Sequence, residues 1–202
     1  MFYSFARYVL QFIAWLINGK VKILQRNNLP KKGNYIVIAP HRTLWDAVYL
    51  ALAVWPKRCI FMAKKELFEI PVLGFFLRHG KAFAVDRDHP QLSSIKQPIN
   101  HLKNSSDSLI MFPGGALHES SLKAGAALIA KRTGLPIIPA VYQGPLTFGG
   151  LFKRKQITIA FGKAIKIGNE KDALKTSQQL LQHAFDTLDQ MIDPDFVDEK
   201  LH

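Results

Sequence analysis

The chain has 202 residues, of which 48% are hydrophobic, and 27 lysines and arginines against 15 aspartates and glutamates give a net charge of +12. This length allows one sizeable core and is short for two domains, and the single cysteine, Cys59, excludes an internal disulfide framework and is predicted to be a core residue. The excess of positive charge predicts an anionic partner, and a membrane surface, a nucleic acid and an acidic carrier protein would each satisfy it.

The amino terminus predicts a helix with a narrow polar stripe and a broad apolar face. Nearly every residue from Phe2 to Ile17 is apolar or aromatic. The polar exceptions fall on one side of the helix: Ser4, Arg7, Gln11 and Asn18. At ~25 Å this helix is short for a hydrocarbon core of ~30 Å, so we expect it to lie in the plane of a membrane rather than to span it.

Residues 1–22 are therefore predicted to form a membrane-associating helix, with Lys20 and Lys22 on anionic lipid, in a peripheral or monotopic protein of the cytoplasmic face. The alternative is that this helix merely covers the globular core. A secretory signal is not expected, because no charged segment precedes the apolar run and no small-residue cleavage site follows it.

Beyond residue 22, short apolar runs alternate with helical patterns. The predicted strands are Tyr35–Ala39, Cys59–Met62, Ala82–Val85, Leu109–Phe112, Ile137–Tyr142 and Gln156–Phe161. The predicted helices are Trp45–Val54, Val72–Leu77, Pro90–Lys103, Lys123–Thr133 and a final amphipathic helix at Asp172–Ile192. This alternation is typical of an α/β fold, so residues 23–202 are predicted to form a single domain with a mostly parallel sheet flanked by helices, and sites form at the carboxyl ends of such strands.

The first predicted strand leads into a segment that carries His41 and, five residues later, Asp46. A histidine and an aspartate at this offset can form a general base and the carboxylate that orients it. Within one helix the offset turns by ~140°, so we expect His41 to precede the helix and Asp46 to lie in its first turn, with Thr43 as N-cap. The alternative is that Thr43 and Asp46 form a capping box and that His41 is an ordinary loop residue.

Three further segments follow or interrupt predicted strands. Arg87 offers a fork of donors to a phosphate, and Gly114 and Gly115 allow backbone N–H groups to approach an anion. Pro139 interrupts the strand Ile137–Tyr142. Each also has a structural explanation: Arg87 as a surface cation, Gly114 and Gly115 as a turn, and Pro139 as an edge-strand or bulge residue.

Taken in order, these segments resemble the motif blocks of the glycerolipid acyltransferases, especially the bacterial 1-acyl-glycerol-3-phosphate acyltransferases. The matching blocks are His41-x4-Asp46, Met62–Leu67, Val85–Arg87, Phe112–Gly115 and Leu135–Pro139. The resemblance covers roughly Asn34 to Val141, and the whole set is far more specific than any single block.

The resemblance implies transfer of a fatty acyl group from a thioester of acyl carrier protein or coenzyme A to the free sn-2 hydroxyl of 1-acyl-glycerol-3-phosphate, giving phosphatidic acid. It implies that His41 is the general base and that Asp46 fixes its tautomer, with no acyl-enzyme and neither a metal nor another cofactor. It also implies that Lys65 and Arg87 bind the phosphate of the acceptor, and that the neighbourhood of Pro139 is associated with the acyl chain.

The block that begins at Phe112 departs from the family pattern. The family usually has Phe-Pro-Glu-Gly-Thr-Arg, whereas this chain has Phe112–Leu117, with Gly114 and Gly115 at its centre, and loses both the acidic and the basic side chain. His118 and Lys123 are the candidates to replace the positive charge, and Glu119 is the candidate to replace the carboxylate.

Two other functions stay open at this point. One is an acyltransferase that uses glycerol 3-phosphate or another lysolipid as acceptor, and the other is a catalytically silent peripheral lipid-binding protein. Nucleic-acid binding is not expected, because the basic residues are dispersed and no RNA- or DNA-binding motif is recognisable.

Overall fold

The computed structural model describes residues 2–43, 45–80, 82–85, 92–112, 120–168 and 173–196. In chain order the strands are β1 (Lys22–Leu24), β2 (Ile36–Ile38), β3 (Cys59–Lys64), β4 (Phe83–Val85), β5 (Ser108–Met111), β6 (Ile137–Gln143) and β7 (Thr158–Phe161). They form one sheet in the order β1-β7-β6-β2-β5-β3-β4, in which the pair β6–β7 is antiparallel and the other pairs are parallel. The predicted single-domain α/β fold with a mostly parallel sheet is confirmed.

Helices cover both faces of the sheet. In chain order they are α1 (Phe2–Asn18), α2 (Asp46–Ala53), α3 (Pro71–His79), α4 (Leu92–Asn104), α5 (Ser120–Thr133), α6 (Phe148–Leu151) and α7 (Ala173–Ile192). Residues of α1, α2 and α6 pack in the core on one face, and residues of α4, α5 and α7 pack in the core on the other. Successive side chains of β2 alternate accordingly, with Val37 in the first core and Ile36 and Ile38 in the second.

The central strands are buried along their whole length, because helices exclude water from both faces. Every residue of β2, β5, β6 and β7 is buried, which explains why these strands are apolar without alternation. Ile38 and Ile138 have no exposed surface, and replacing such a side chain by alanine typically costs about 2–5 kcal/mol.

The strand directions define two edges of the sheet. Strands β2 to β6 are mutually parallel, so their carboxyl ends meet at one edge, which we call the carboxyl edge, and their first residues at the opposite, amino edge. Strand β7 runs antiparallel to β6, and β1 runs parallel to β7. The first residues of β1 and β7 therefore also lie at the carboxyl edge.

Two short elements were not predicted. Strand β1 pairs Lys22 with Thr158, and it begins at the last residue of the predicted membrane-associating segment. Helix α6 lies in a stretch that was predicted as a loop, and the Thr147 side chain caps it by accepting a hydrogen bond from the Gly150 N–H at 3.2 Å.

The described side chains of helix α1 divide into a packed side and an exposed side. Ala14 and Asn18 are buried, and the Asn18 amide accepts from the Tyr49 hydroxyl at 2.9 Å. The opposite side exposes large apolar residues: Tyr8, Val9, Phe12, Ile13, Trp15 and Leu16. Among the residues described, no helix combines the length and the hydrophobicity that crossing a membrane requires.

Candidate active site

His41 and Asp46 face each other at the carboxyl edge of the sheet. His41 lies in the turn between β2 and α2, and Asp46 is the first residue of α2. The Nδ1 atom of His41 lies 3.0 Å from Oδ1 and 3.2 Å from Oδ2 of Asp46. The predicted arrangement, with the histidine before the helix and the aspartate in its first turn, is confirmed.

The Asp46 carboxylate is held by the backbone of the same turn. Its Oδ2 accepts hydrogen bonds from the N–H groups of Arg42 at 2.8 Å and Thr43 at 3.1 Å, and its own N–H donates to the Thr43 hydroxyl at 3.2 Å. The capping-box bonds and the histidine contact therefore coexist. The prediction that Thr43 is the N-cap residue was wrong, because the N-cap is Trp45, whose carbonyl accepts from the Tyr49 N–H.

These contacts determine which ring nitrogen of His41 is available. An ionised carboxylate only accepts hydrogen bonds, so Nδ1 carries the proton and Nε2 presents a lone pair. Asp46 is fully buried, whereas the His41 side chain is 31% exposed. The imidazole packs against Phe112 with ring centroids 4.8 Å apart, and within the described residues no hydrogen-bonding group faces Nε2. This nitrogen can therefore accept a proton from a substrate hydroxyl.

Arg42 connects the turn between β2 and α2 to helix α7, which packs on the other face of the sheet. Its guanidinium, on a side chain only 3% exposed, donates from Nη1 to the Tyr142 carbonyl at 2.6 Å and to Oδ1 of Asp189 at 2.9 Å, and from Nη2 to Oδ2 of Asp189 at 2.5 Å. The Gln143 amide also donates to Oδ1 of Asp189, at 2.9 Å. Sequence analysis missed this network, because a contact between residues 42 and 189 has no local signal in the sequence.

Trp45 connects the turn to the segment that precedes α6. Its indole N–H donates to the Tyr142 hydroxyl at 3.0 Å and to the Pro145 carbonyl at 3.1 Å. Burial raises the pKa of Tyr142, with the Trp45 hydrogen bond acting in the opposite direction. The Tyr142 hydroxyl therefore keeps its proton and donates it to the Pro145 carbonyl at 3.2 Å.

Comparison with known proteins identifies the family of the chain. The family model of the acyltransferases matches residues 20–143. The chain belongs to the acyltransferase family. It is 44% identical over 195 residues to the 1-acyl-sn-glycerol-3-phosphate acyltransferase of Streptococcus pneumoniae, a match that covers 94% of this chain and 74% of that protein. It is 36% identical over 165 residues to the protein of the same name in Bacillus subtilis, covering 81% of this chain and 82% of that protein.

The fold of this acyltransferase is also similar to that of a solved structure. The crystal structure of the 1-acyl-sn-glycerophosphate acyltransferase from Thermotoga maritima superimposes with a TM-score of 0.65 at 22% identity, over 94% of this chain and 83% of that chain. At this identity the likeness supports the arrangement of the sheet and helices rather than a choice of substrate.

Of the other predicted site residues of the acyltransferase, Lys65 lies at the same edge as His41. It is exposed in a 3₁₀ helix, Lys65–Phe68, directly after β3. Because β5 lies between β2 and β3, the strand ends that carry His41 and Lys65 are about 10 Å apart. A substrate that reaches both side chains must extend along the carboxyl edge.

The remaining predicted phosphate-binding residues, Arg87, Gly114, Gly115 and His118, lie outside the described residues, as does Glu119. The strands that precede them, β4 and β5, end at the carboxyl edge. The side chain of Lys123, in α5, is also outside the described part.

Pro139 lies within the sheet rather than at a strand end. Strand β6 is flanked by β2 and β7, so the alternative that Pro139 is an edge-strand residue was wrong. Pro139 pairs in register with Ile38, and its carbonyl accepts from the Gly162 N–H at 2.7 Å. Ile38 is the last residue of β2 and precedes His41 by three residues, whereas four residues of β6 follow Pro139. The contact of Pro139 with an acyl chain stays a prediction.

Cys59 is a core residue, as predicted. It is buried at the first position of β3, at the amino edge. Burial raises the pKa of its thiol from 9.0 to about 12, with smaller opposing effects of Lys57 and Asp107. Such a thiol is not a nucleophile at neutral pH. In the described ranges, no three side chains of His, Cys, Asp or Glu lie together as metal ligands would.

Proposed function

We propose that this acyltransferase transfers a fatty acyl group from a thioester to the free sn-2 hydroxyl of 1-acyl-glycerol-3-phosphate, forming phosphatidic acid. The observation that carries the proposal is the His41–Asp46 pair, with Nδ1 on a buried carboxylate and Nε2 directed away from it. The choice of acceptor is supported by the 44% identity with the Streptococcus pneumoniae protein of that name.

In the proposed reaction, Nε2 of His41 takes the proton of the acceptor hydroxyl as its oxygen attacks the thioester carbonyl carbon. The imidazolium that forms is stabilised by the Asp46 carboxylate, which keeps its two backbone hydrogen bonds throughout. When the tetrahedral intermediate collapses, the carbon–sulfur bond breaks and the proton on Nε2 passes to the leaving thiolate. No acyl-enzyme is required, which is consistent with the buried, protonated Cys59.

The acceptor phosphate is proposed to bind along the carboxyl edge, on the side of β5, β3 and β4. Lys65, which is exposed directly after β3, is proposed to supply positive charge there together with Arg87, which comes two residues after β4 in the sequence. Gly114, Gly115 and His118 come after β5 in the sequence. A lysine and an arginine near one phosphate provide charge-assisted hydrogen bonds. Both coenzyme A and acyl carrier protein are anionic, so a protein of net charge +12 suits either thioester as donor.

The acceptor is a membrane lipid, and α1 supports attachment of the enzyme to the bilayer. At ~100° per residue, the six exposed apolar side chains span an arc of roughly 160°. Ala14 and Asn18, which pack on the domain, lie on the opposite side. An exposed apolar face of this breadth is typical of a helix that lies in the membrane interface.

A substrate panel tests the proposed reaction. The purified full chain is given labelled acyl carrier protein or coenzyme A thioesters with lysophosphatidic acid, glycerol 3-phosphate or lysophosphatidylcholine in liposomes. Phosphatidic acid from lysophosphatidic acid is expected as the main product. Turnover of another acceptor without turnover of lysophosphatidic acid would refute the proposed acceptor. No product with any acceptor, from a folded and vesicle-bound protein, would favour a lipid-binding protein without catalysis.

A further inference from the structure

The segment after α6 places an aromatic side chain next to three cations. Phe152 is 61% exposed, and Lys153, Arg154 and Lys155 follow it and are also exposed. We call residues 152–155 the basic tip. An exposed aromatic ring beside lysines is the composition that favours the interface between lipid headgroups and acyl chains.

Hydrogen bonds hold the basic tip against the carboxyl end of α1. The Asn18 amide donates to the Leu151 carbonyl at 2.7 Å, directly before the tip. The Arg154 guanidinium donates to the Leu16 carbonyl at 3.2 Å, where a cation also interacts favourably with the helix dipole. Since Leu16 belongs to the exposed apolar face of α1, the tip and that face form one continuous surface.

The same contacts gather positive charge at this end of α1. The Gln156 amide donates to the Lys20 carbonyl at 3.0 Å, so the segment after the tip lies beside the residues that follow α1. Four exposed lysines surround this junction: Lys20, Lys22, Lys153 and Lys155. Their charge complements the phosphates of an anionic bilayer, in which each nearby lysine contributes to binding.

The basic tip lies at the same edge of the sheet as His41. It belongs to the connection between β6 and β7, which leaves the carboxyl end of β6 and re-enters at the first residue of β7. The connection also contacts the turn between β2 and α2 that carries His41, because the Trp45 indole N–H donates to the Pro145 carbonyl. A bilayer that contacts α1 and the tip therefore meets the protein on the side of the candidate base.

We propose that the basic tip is a second membrane contact, in which Phe152 inserts at the level of the headgroups and Lys153 and Lys155 bind the phosphates of anionic lipids. Helix α1 and the tip then fix the orientation of the carboxyl edge towards the bilayer. This inference rests on the proposed attachment through α1. A bilayer is favoured over an acidic protein partner because the lysines lie next to the broad apolar face of α1. An anionic bilayer can bind the lysines and cover that apolar face at the same time.

Vesicle flotation of the full chain tests this inference. Phosphatidylcholine vesicles are compared with vesicles containing about 30 mol% phosphatidylglycerol, a strongly anionic surface. Lys153→Glu/Lys155→Glu should weaken binding to the anionic vesicles by about 30-fold and leave binding to neutral vesicles nearly unchanged. Phe152→Ala should weaken binding to both by roughly tenfold. The matched control is Lys163→Glu/Lys166→Glu, an exposed pair at the amino edge with the same change of charge.

A variant of α1, Phe12→Asp/Trp15→Asp, separates failure of the inference from failure of the attachment on which it rests. Wild-type binding by the tip variants, together with release of the α1 variant, would overturn the tip contact and leave the attachment standing. Vesicle binding by the α1 variant at the wild-type level would refute the attachment itself. Equal weakening by the control pair would attribute the effect to net charge and overturn the role of the tip. Loss of transfer from acyl carrier protein alone, with vesicle binding intact, would assign the tip to the donor protein instead.

Discussion

Within the described residues, two histidine–aspartate pairs are in contact, and His41–Asp46 is the one that we propose to act as a base. His41 contacts Asp46 at 3.0 Å, and His101 contacts Asp107 at 2.8 Å. The histidines are similarly accessible, with side chains 31% and 24% exposed, and both carboxylates are nearly or fully buried. Distance and burial therefore do not distinguish a catalytic pair from a structural one.

The difference lies in the ring nitrogen that is used and in the edge of the sheet. His101 contacts Asp107 through Nε2, the outer nitrogen of the ring, whereas His41 uses Nδ1 and leaves the outer nitrogen for a substrate. Asp107 directly precedes β5, at the amino edge, whereas the His41 pair lies at the carboxyl edge. In parallel sheets substrates bind at the carboxyl edge, so only His41 is placed to meet one.

Replacing each histidine by alanine should give the largest difference between the two pairs. His41→Ala should lower the rate of acyl transfer by about 10²–10⁴-fold, the usual contribution of a general base. His101→Ala should leave the rate within about twofold and lower stability by about 1 kcal/mol, through loss of one hydrogen bond. Initial rates at saturating substrate and thermal melts measure both effects. Equal rate losses in the two variants would contradict the assignment.

Replacing each aspartate by asparagine should give a smaller difference in the rate of acyl transfer. Asp46→Asn keeps the shape of the side chain but removes the charge that stabilises the imidazolium, so the rate should fall by about 100-fold. Asp107→Asn is the matched control and should leave the rate unchanged. A normal rate in Asp46→Asn would mean that the carboxylate serves only as a helix cap.

The ion pair between Arg42 and Asp189 should affect the free energy of unfolding and, more weakly, the rate of acyl transfer. Asp189→Asn leaves the buried Arg42 guanidinium without its carboxylate, so we expect a loss of about 3 kcal/mol and a fall in the rate of about tenfold as the turn relaxes. Asp186→Asn, one turn earlier on α7 and exposed, should change neither. Denaturant unfolding and initial rates measure the two effects, and an unchanged free energy of unfolding in Asp189→Asn would show that Arg42 is held by other groups.

Cys59 should have the smallest effect. With a thiol pKa of about 12 in the folded protein, iodoacetamide at pH near 9 should alkylate it only after denaturation, because only the unfolded thiol forms thiolate at that pH. Cys59→Ala should keep the wild-type rate. Rapid alkylation of the native protein with loss of activity would contradict the assignment of Cys59 to the core.

The sequence predicted the elements whose signals are local. Short, continuously apolar runs indicated the central strands, and the five-residue offset between His41 and Asp46 required a turn between them. Contacts distant in sequence had no such signal: Asn18, predicted as part of a polar stripe on α1, is buried and bonded to Tyr49, and Asp189 holds Arg42 from the last helix. The resemblance to the acyltransferases supplied the proposed role of Lys65, which no local pattern in this chain predicts.

The position of the proton on the neutral His41 ring is the most direct test of the proposed role of His41 as general base. In the protein labelled with nitrogen-15 at histidine, two-bond proton–nitrogen spectra distinguish a protonated from an unprotonated ring nitrogen, and the His41→Gln variant assigns the signals. We expect the neutral His41 ring to be protonated at Nδ1 and to carry a lone pair at Nε2, and the neutral His101 ring to be protonated at Nε2. A neutral His41 ring with its proton on Nε2 would contradict the proposed role of His41 as general base, because Nε2 would then have no lone pair to accept the hydroxyl proton.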